Sequence, residues 1–146
     1  MYRIIPFENE YRDDTIYCFL LAKGSLGKVP RLNDDMLDIP KSYFDKGDMF
    51  WIAINDDDRV IGMIGTNTIS ESEIWLKRLF IMPEMRRNGL GSALLYVLEK
   101  YAKSKGVSTL HTRFPDDFIE AGKFYPAKGF IDAEMLDECR HIIKTL

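Results

Sequence analysis

The chain has 146 residues, a formal net charge of −3 and 46% hydrophobic residues. This length suits one domain around one core, so we expect a single domain over residues 1–146. The composition is that of an ordinary globular protein, and the small negative charge excludes a basic surface for nucleic acid. The longest apolar run, near 17–22, is too short to cross a bilayer, so we expect no membrane partner.

The cysteines and histidines give no sign of a disulfide or a metal. Cys18 and Cys139 form no CxxC pair, which predicts free thiols and a cytoplasmic location. His111 and His141 lie far apart in the sequence, without ligand-like spacing around either of them. We therefore expect no metal site.

Hydrophobic periodicity divides the chain into predicted strands and helices. Strand-like runs cover 1–7, 49–54, 60–68, 74–82, 107–114 and 140–146. Helical spacing covers 10–23, a region near 34–44, and 90–105. A fourth helix is capped by Asp116 or Asp117 and runs through Phe124. An irregular loop over 24–39, which contains Pro30, is expected to shape a binding mouth. This order predicts a mixed α/β fold with a strand–helix–strand unit in its second half.

The strongest local feature is the turn Arg86-Arg87-Asn88-Gly89-Leu90-Gly91, which joins a predicted strand to a predicted helix. Its glycines let the backbone approach a ligand closely, and the first amides of the following helix have no partner inside the helix. The helix dipole favours an anion at this end, and Arg86 and Arg87 add positive charge for a phosphate. The turn therefore predicts a cradle for a phosphate-rich ligand.

Other interpretations of this turn are open or fit less well. An Asn-Gly hairpin needs a strand after Gly91, whereas 92–105 has helical spacing. A glycine-rich corner that binds no ligand stays open. The Gly-x-x-x-x-Gly-Lys-Ser/Thr of a P-loop is absent, and the glycines and acidic residue of the dinucleotide-binding pattern are not arranged here.

At this turn the sequence resembles the GNAT superfamily of N-acetyltransferases. The family signature, Gln/Arg-x-x-Gly-x-Gly/Ala after a strand, is matched by Arg86-x-x-Gly89-x-Gly91, and 79–83 (Leu-Phe-Ile-Met-Pro) is similar to the end of its central strand. A second block, Ala121-x-x-Phe124-Tyr125-x-x-x-Gly129-Phe130, resembles the later family motif. The resemblance covers about residues 60–131.

The resemblance implies a mostly antiparallel, twisted sheet of about six or seven strands with about four helices, splayed into a V between two parallel strands that hold acetyl-CoA. It implies that backbone groups of 79–81 pair with the pantetheine arm and that amides of 87–92 hold the pyrophosphate. It places Tyr125 near the sulfur, where it protonates the leaving thiolate. The cofactor-binding residues it implies are Leu79, Phe80, Ile81, Arg86, Arg87, Asn88, Gly89, Leu90, Gly91, Ser92, Phe118 and Tyr125.

Two residues depart from the family pattern. Phe118 stands where the family often has Asn, so a polar contact to the pantetheine or leaving group is absent or supplied otherwise. Pro126 follows Tyr125 directly, and proline removes a helix N–H and restricts the residue before it. A kink there would displace the Tyr125 hydroxyl. The alternative role for Tyr125 is that of a core tyrosine.

Neither motif identifies a general base. Glu73 shares a strand face with Trp75 and Lys77 and can take the amine proton, directly or through water. His111 is a second candidate, because imidazole takes up and releases protons near neutral pH, and bulk water is a third. A mouth that attracts a cationic amine can be lined by Asp34, Asp35, Asp38, Tyr43, Phe44 and Trp51.

These expectations combine into an acetyl-CoA-dependent N-acetyltransferase without a metal, which transfers the acetyl group in a ternary complex to the primary amine of a small molecule or peptide. The alternatives are a non-catalytic acyl-CoA-binding or sensing module and a plain α/β interaction domain. An exposed last strand can also pair two copies, so a homodimer stays open.

Overall fold

The computed structural model describes residues 1–27 and 31–146, so Pro30 of the predicted loop lies outside the described residues. The strands are β1 Tyr2–Pro6, β2 Phe50–Asn55, β3 Val60–Thr68, β4 Glu73–Ile81, β5 Thr109–Pro115, β6 Ile131–Leu136 and β7 Cys139–Thr145. The helices are α1 Arg12–Gly24, α2 Asp34–Leu37, α3 Ile39–Ser42, α4 Leu90–Ser104 and α5 Ile119–Ala127. Short 3-10 turns cover Asn9–Tyr11, Phe44–Lys46 and Pro83–Met85.

The seven strands form one sheet in the order β1-β2-β3-β4-β5-β7-β6. β4 and β5 run parallel and are joined by α4, whereas the other neighbouring pairs are antiparallel. β7 lies between β5 and β6, so β6 forms this edge of the sheet, and the expectation that the last strand is an exposed edge is wrong. The predicted fold class, a mostly antiparallel sheet with one parallel pair, is confirmed.

β4 and β5 separate soon after they meet, which opens the sheet into a V. Their paired residues are Glu73 with Thr109, Ile74 with Leu110, and Trp75 with His111. Just beyond, the Thr112 hydroxyl donates to the Leu76 carbonyl at 3.3 Å, and this contact marks the vertex of the V. On the other side of β4 the pairing with β3 shifts register between Met63 and Gly65, where Arg78 has a φ of 57°. Such a bulge bends its strand, so β4 curves away from β5.

Helices cover the two faces of the sheet differently. On one face, which we call the α4 face, Leu90 and Leu94 are almost fully buried, and a Cβ on Gly62 would come within 3.1 Å of both. α5 lies on this face too, where Tyr125 stacks on Phe114 of β5. Apolar side chains therefore fill the α4 face on both sides of the V.

On the opposite face, the α1 face, helix α1 packs against β3 and β4. The Phe19 ring of α1 meets the Phe80 ring edge-on at 5.1 Å. The α1 face of β5, β7 and β6 carries polar side chains instead. Within residues 1–27 and 31–146, no helix is both long enough and apolar enough to cross a membrane.

One strand and two helix boundaries differ from the sequence-based expectation. β6 was not among the predicted runs; its sequence, Ile-Asp-Ala-Glu-Met-Leu, largely alternates apolar and acidic residues as a strand does, but all six residues are exposed. The predicted helix near 34–44 is divided at Asp38, since Pro40 has no N–H to donate to the carbonyl four residues earlier. Asp38 begins α3 instead, with its carboxylate accepting from the Lys41 N–H at 3.2 Å.

The predicted caps of α5, Asp116 and Asp117, are also wrong, since the cap position is Phe118. The Asp116 N–H donates to the Glu138 carbonyl at 2.8 Å, so this residue is still held beside the β6–β7 turn. The helix then passes through Pro126 and ends at Ala127.

Candidate active site

The predicted phosphate cradle lies at the N-terminus of α4, directly after the V. Gly89 is the cap residue with a φ of +80°, a conformation that glycine adopts without a Cβ penalty. The Ala93 N–H donates to the Gly89 carbonyl at 3.0 Å, so the amides of Leu90, Gly91 and Ser92 precede the first hydrogen-bonded turn. These amides provide the anion-binding geometry that the sequence predicts.

Neither arginine of the turn is aimed at this cradle. The Arg86 guanidinium donates to the Ala22 carbonyl at 3.2 Å and to the Ser25 hydroxyl at 2.7 Å, at the C-terminus of α1. Arg87 pairs with Glu120 of α5 at 3.0 Å and is 81% exposed. An exposed pair of this kind is weak, so Arg87 can exchange Glu120 for a phosphate at little cost. The binding of phosphate by both side chains stays a prediction.

Gly91 lies at a close packing contact between α4 and α5. A Cβ at Gly91 would lie 3.3 Å from the Phe124 ring, so α4 and α5 meet closely at the mouth of the V. Asn88 belongs to the same exposed turn. Phe118, at the start of α5, packs against the hydrophobic core. Its polar counterpart in the family therefore has an apolar substitute in this chain.

The end of β4 has an edge that no strand occupies. β5 pairs with β4 only as far as Trp75, so the backbone of Leu79, Phe80 and Ile81 faces the opening of the V on that side. Unpaired N–H and C=O groups on a strand edge bind extended ligands by adding a strand. This is the arrangement expected for residues that pair with a pantetheine arm.

Tyr125 lies at the vertex of the V on the α4 face. It is 7% exposed and packs against three rings, those of Phe114, Phe124 and Phe130. Burial raises the pKa of Tyr125 to about 12, while a hydrogen bond with Thr112 acts in the opposite direction. Because Thr112 also bonds the Leu76 carbonyl, the phenol hydroxyl lies beside the vertex.

Pro126 does not move Tyr125 away from this position. The Tyr125 carbonyl accepts from the N–H groups of Lys128 and Phe130 at 2.9 and 3.1 Å, which closes the last turn of α5 around the proline. Tyr125 is thus both a core tyrosine and a side chain at the vertex. Its role as an acid stays a prediction.

On the α1 face, the bulge of β4 is held by an ion pair. The Arg78 guanidinium donates to both oxygens of Asp35 at 2.7 and 3.0 Å, and the Tyr43 hydroxyl donates to Asp35 at 2.6 Å. Desolvation favours the neutral carboxyl, but these hydrogen bonds outweigh it and lower the pKa of Asp35. Asp35 is therefore already neutralised by Arg78.

The predicted acidic mouth needs revision in two respects. Trp51 does not belong to it, because its ring packs on Tyr101 of α4, 5.4 Å away on the other face of the sheet. The α1 face near the V also carries unneutralised cations. Burial lowers the pKa of Lys77, and the nearby Arg78 and Arg113 lower it further.

The α1 face carries a hydrogen-bonded chain of four side chains across four adjacent strands. The Glu73 carboxylate lies 2.7 Å from Nε2 of His111, and Nδ1 of His111 lies 2.9 Å from Nε2 of His141. Nδ1 of His141 lies 3.2 Å from the Glu134 carboxylate. The Trp75 ring covers both imidazoles, at 5.2 and 4.9 Å between centroids.

Sequence reasoning found Glu73 and His111 separately but missed His141 and Glu134. The two histidines, 30 residues apart in the chain, are brought together because β7 pairs with β5. The only available signal was the period of two in 140–146, which places His141 on a strand face. Among the described residues, no group of three His, Cys, Asp or Glu side chains is arranged to hold a metal ion.

Comparisons with known proteins identify the family of this chain. The chain matches the acetyltransferase (GNAT) family over residues 8–130. It is 32% identical over 102 residues to human N-acetyltransferase 8, a match covering 66% of this chain and 44% of that protein. The chain thus spans less than half the length of the curated relatives it matches.

Solved structures show the same fold. A GNAT-family acetyltransferase from Staphylococcus aureus Mu50 has a TM-score of 0.90 at 24% identity, with 100% of this chain and 99% of that chain covered. The PaiA N-acetyltransferase from Thermoplasma acidophilum, solved in complex with coenzyme A, has a TM-score of 0.82 at 19% identity, with coverage of 100% and 99%. The chain belongs to the GNAT family of acetyltransferases.

Proposed function

We propose that this domain binds acetyl-CoA in the V and transfers the acetyl group directly to a primary amine in a ternary complex. The observation that carries the proposal is one continuous path: free amides at the start of α4, the unpaired edge of β4, and a buried phenol at the vertex. These three features suit a phosphate, an extended amide chain and a thioester, in that order.

Binding begins at the cradle. The amides of 87–92 hold the pyrophosphate, and Arg87 supplies a cation that can turn toward it. The backbone of Leu79, Phe80 and Ile81 pairs with the pantetheine arm. The coenzyme A complex of the PaiA relative supports this choice of ligand, since the two folds match over their whole length.

The acceptor approaches from the α1 face, because α4, α5 and their apolar side chains fill the other one. A primary amine is mostly protonated at neutral pH and must lose a proton before it attacks the thioester carbonyl. A backbone N–H of the bulged end of β4 donates to the oxyanion that forms. Tyr125 donates toward the departing thiolate, and Glu73 receives the amine proton through water.

The alternative is a module that binds acyl-CoA without catalysis. It is favoured by the high pKa of Tyr125, since a phenol that holds its proton so tightly is a weak acid. Both functions need the same cradle, so binding alone does not separate them.

Thiol release separates them. Acetyl-CoA at about 100 times its Kd should stabilise the fold by roughly 2.7 kcal/mol, and a panel of small amines and peptides with free N-termini should include an acceptor that releases coenzyme A. Binding without release on every acceptor would favour the non-catalytic module. An unchanged melting temperature with saturating acetyl-CoA would contradict both functions.

A further inference from the structure

Four side chains on the α1 face, Glu73, His111, His141 and Glu134, form a hydrogen-bonded network whose proton count is unusual. Its three contacts each need one proton, and an ionised carboxylate at either end can only accept, so these protons lie on the imidazoles. With both carboxylates ionised, the three hydrogen bonds therefore require three protons on the two imidazoles. Two neutral imidazoles carry only two, so the complete network holds one extra proton.

The mostly buried imidazoles can share the extra proton, and the more exposed carboxylates at the two ends can release it to water. His111 and His141 are 14% and 16% exposed at their side chains, whereas Glu73 and Glu134 at the two ends are 42% and 52% exposed. The Trp75 ring lies over both imidazoles, and the face of an indole stabilises a cation. The interior is shielded, and each end reaches water.

Two cations on the same face disfavour the extra proton on the network. Lys77 lies two residues beyond Trp75 on β4, and Arg113 lies opposite His141 in the β5–β7 pairing. The positive charges of these two side chains disfavour an additional positive charge on the imidazoles. Among the described residues of this face, Glu73 and Glu134 contact the imidazoles and attract the extra proton, whereas the cations Lys77 and Arg113, on β4 and β5, promote its release.

The network begins at the vertex of the V. His111 and Thr112 are consecutive residues of β5, so their side chains lie on opposite faces. Thr112 contacts the Tyr125 phenol on the α4 face, and His111 begins the imidazole pair on the α1 face. An amine that attacks a thioester at the vertex from the α1 face therefore lies near Glu73 and His111.

We propose that Glu73, His111, His141 and Glu134 act together as a proton relay, which takes one proton from the acceptor ammonium and delivers it to solvent at the exposed ends of the network. This inference rests on the proposed acetyl transfer and names the route of its proton. Glu73 receives the proton through water, and the three other residues are positioning residues that share its charge.

Acetyl transfer to an ammonium releases one proton, which is the number of extra protons that the network can hold. The bound ammonium loses one proton to the network, and the neutral amine then attacks the carbonyl. The C–N bond forms, the C–S bond breaks, and the remaining excess proton on nitrogen passes through water to the leaving sulfur. The products are an amide, a thiol and one released proton, which is the proton that the network carries.

The chain offers a matched control on one strand. Glu134 and Asp132 are both exposed carboxylates of β6, but Asp132 pairs with Arg140 at 2.7 Å on the other face. Glu134→Gln removes one end of the relay, whereas Asp132→Asn removes a carboxylate of the same strand that has no contact with either imidazole. Both substitutions lie on an exposed edge, where the fold tolerates them.

The first measurement needs no turnover. The protein has only two histidines, so ¹⁵N-histidine NMR resolves both rings. Because the two rings share one hydrogen bond, we expect Glu134→Gln to shift the ring ¹⁵N signals of both histidines and Asp132→Asn to shift neither. A response to Glu134→Gln confined to His141, or equal responses to the two substitutions, would overturn the relay.

The second measurement is the pH profile of kcat/KM for an acceptor amine. We expect Glu134→Gln and His141→Gln each to lower kcat/KM about tenfold near neutral pH, with the Kd of acetyl-CoA unchanged. The double variant His111→Gln/His141→Gln should be no slower than His111→Gln, because residues acting in series are not additive. Rescue of His111→Gly by added imidazole would support the relay further.

The outcomes separate the two proposals. An active wild-type enzyme whose pH profile is unchanged by Glu134→Gln and His141→Gln would overturn the relay and leave acetyl transfer standing. A wild-type protein that acetylates no amine would overturn both. Melting temperatures of the variants, with and without acetyl-CoA, check that each one is folded and binds.

Discussion

At the scale of single residues, the vertex of the V carries a tyrosine, Tyr125, whose pKa is raised by burial. Tyr125 was identified from a motif that also contains two of its ring neighbours, Phe124 and Phe130, but its stacking on Phe114 could not be predicted, because Phe114 lies on β5. With its pKa raised to about 12, Tyr125 keeps its proton throughout the neutral range. A coenzyme A thiol resembles a cysteine thiol, with a pKa near 8.5. Full transfer from Tyr125 to the thiolate is therefore unfavourable, and hydrogen bonding to the developing thiolate is its main contribution.

The substitution Tyr125→Phe tests this contribution. It removes one hydroxyl and keeps the ring packing, so we expect kcat to fall about 10²-fold while the stabilisation by acetyl-CoA is unchanged. Because the phenol does not ionise below pH 10, the wild-type and variant profiles of kcat should be parallel between pH 6 and about 9. Full activity in the variant would show that Tyr125 serves only the core.

At the scale of elements, the predictions succeeded where one face of an element is buried. The apolar spacing of α4 and the alternation of the central strands follow directly from burial against the sheet. β6 was missed although Ile131, Ala133 and Met135 alternate with Asp132 and Glu134, because all six of its residues are exposed at the edge of the sheet and none packs into the core. The relay was missed for a different reason, since its members come from four strands whose order the local sequence does not encode.

The two ends of α4 allow a controlled test of the cradle. Gly89 and Gly106 have φ angles of +80° and +79°, and a Cβ on either would meet no atom within 4 Å. The substitution to Asp imposes the same left-handed backbone strain at both, but only Gly89→Asp adds a carboxylate to the proposed pyrophosphate site. We expect Gly89→Asp to abolish stabilisation by acetyl-CoA and Gly106→Asp to preserve it.

Stability should follow the opposite order. A carboxylate is favourable at a helix N-terminus and unfavourable at the C-terminus, by about 0.3–1 kcal/mol. Gly89→Asp should therefore melt at or above the temperature of Gly106→Asp. If both variants bind acetyl-CoA as the wild type does, the ligand does not use this helix end.

At the scale of the whole molecule, the fold persists where the sequence has largely changed. The structure matches the Staphylococcus aureus relative with a TM-score of 0.90 at 24% identity. The sequence predicted the helices and strands that bury one face and the glycine turn before α4, because these features depend on local sequence. The proposed acceptor face was predicted only in part: Asp35 and Tyr43 were assigned to the mouth, but their contacts with Arg78 and with each other form only after α2, α3 and β4 are packed together.

The whole molecule also has a predictable weakness at high pH. Burial raises the pKa of the Cys18 thiol from 9.0 to about 12, with smaller contributions from Asp14 and Glu84, and raises that of Tyr125 from 10.0 to about 12. Both groups bind their protons more tightly in the folded state than in the unfolded state. Their contribution to stability is therefore fully present below about pH 9 and is lost as the pH rises toward 12.

Each group should steepen the fall in the free energy of unfolding by up to about 1.4 kcal/mol per pH unit across its own window. Lys23 and Lys77 act in the opposite direction, because burial lowers their pKa values, but their shifts are smaller than those of Cys18 and Tyr125. Urea unfolding between pH 7 and 11 should show constant stability to about pH 8 and a decline above pH 9. In Cys18→Ala the decline should begin about one pH unit later, near the ionisation of an unfolded tyrosine. A decline identical in Cys18→Ala and the wild type would show that the buried thiol does not contribute to it.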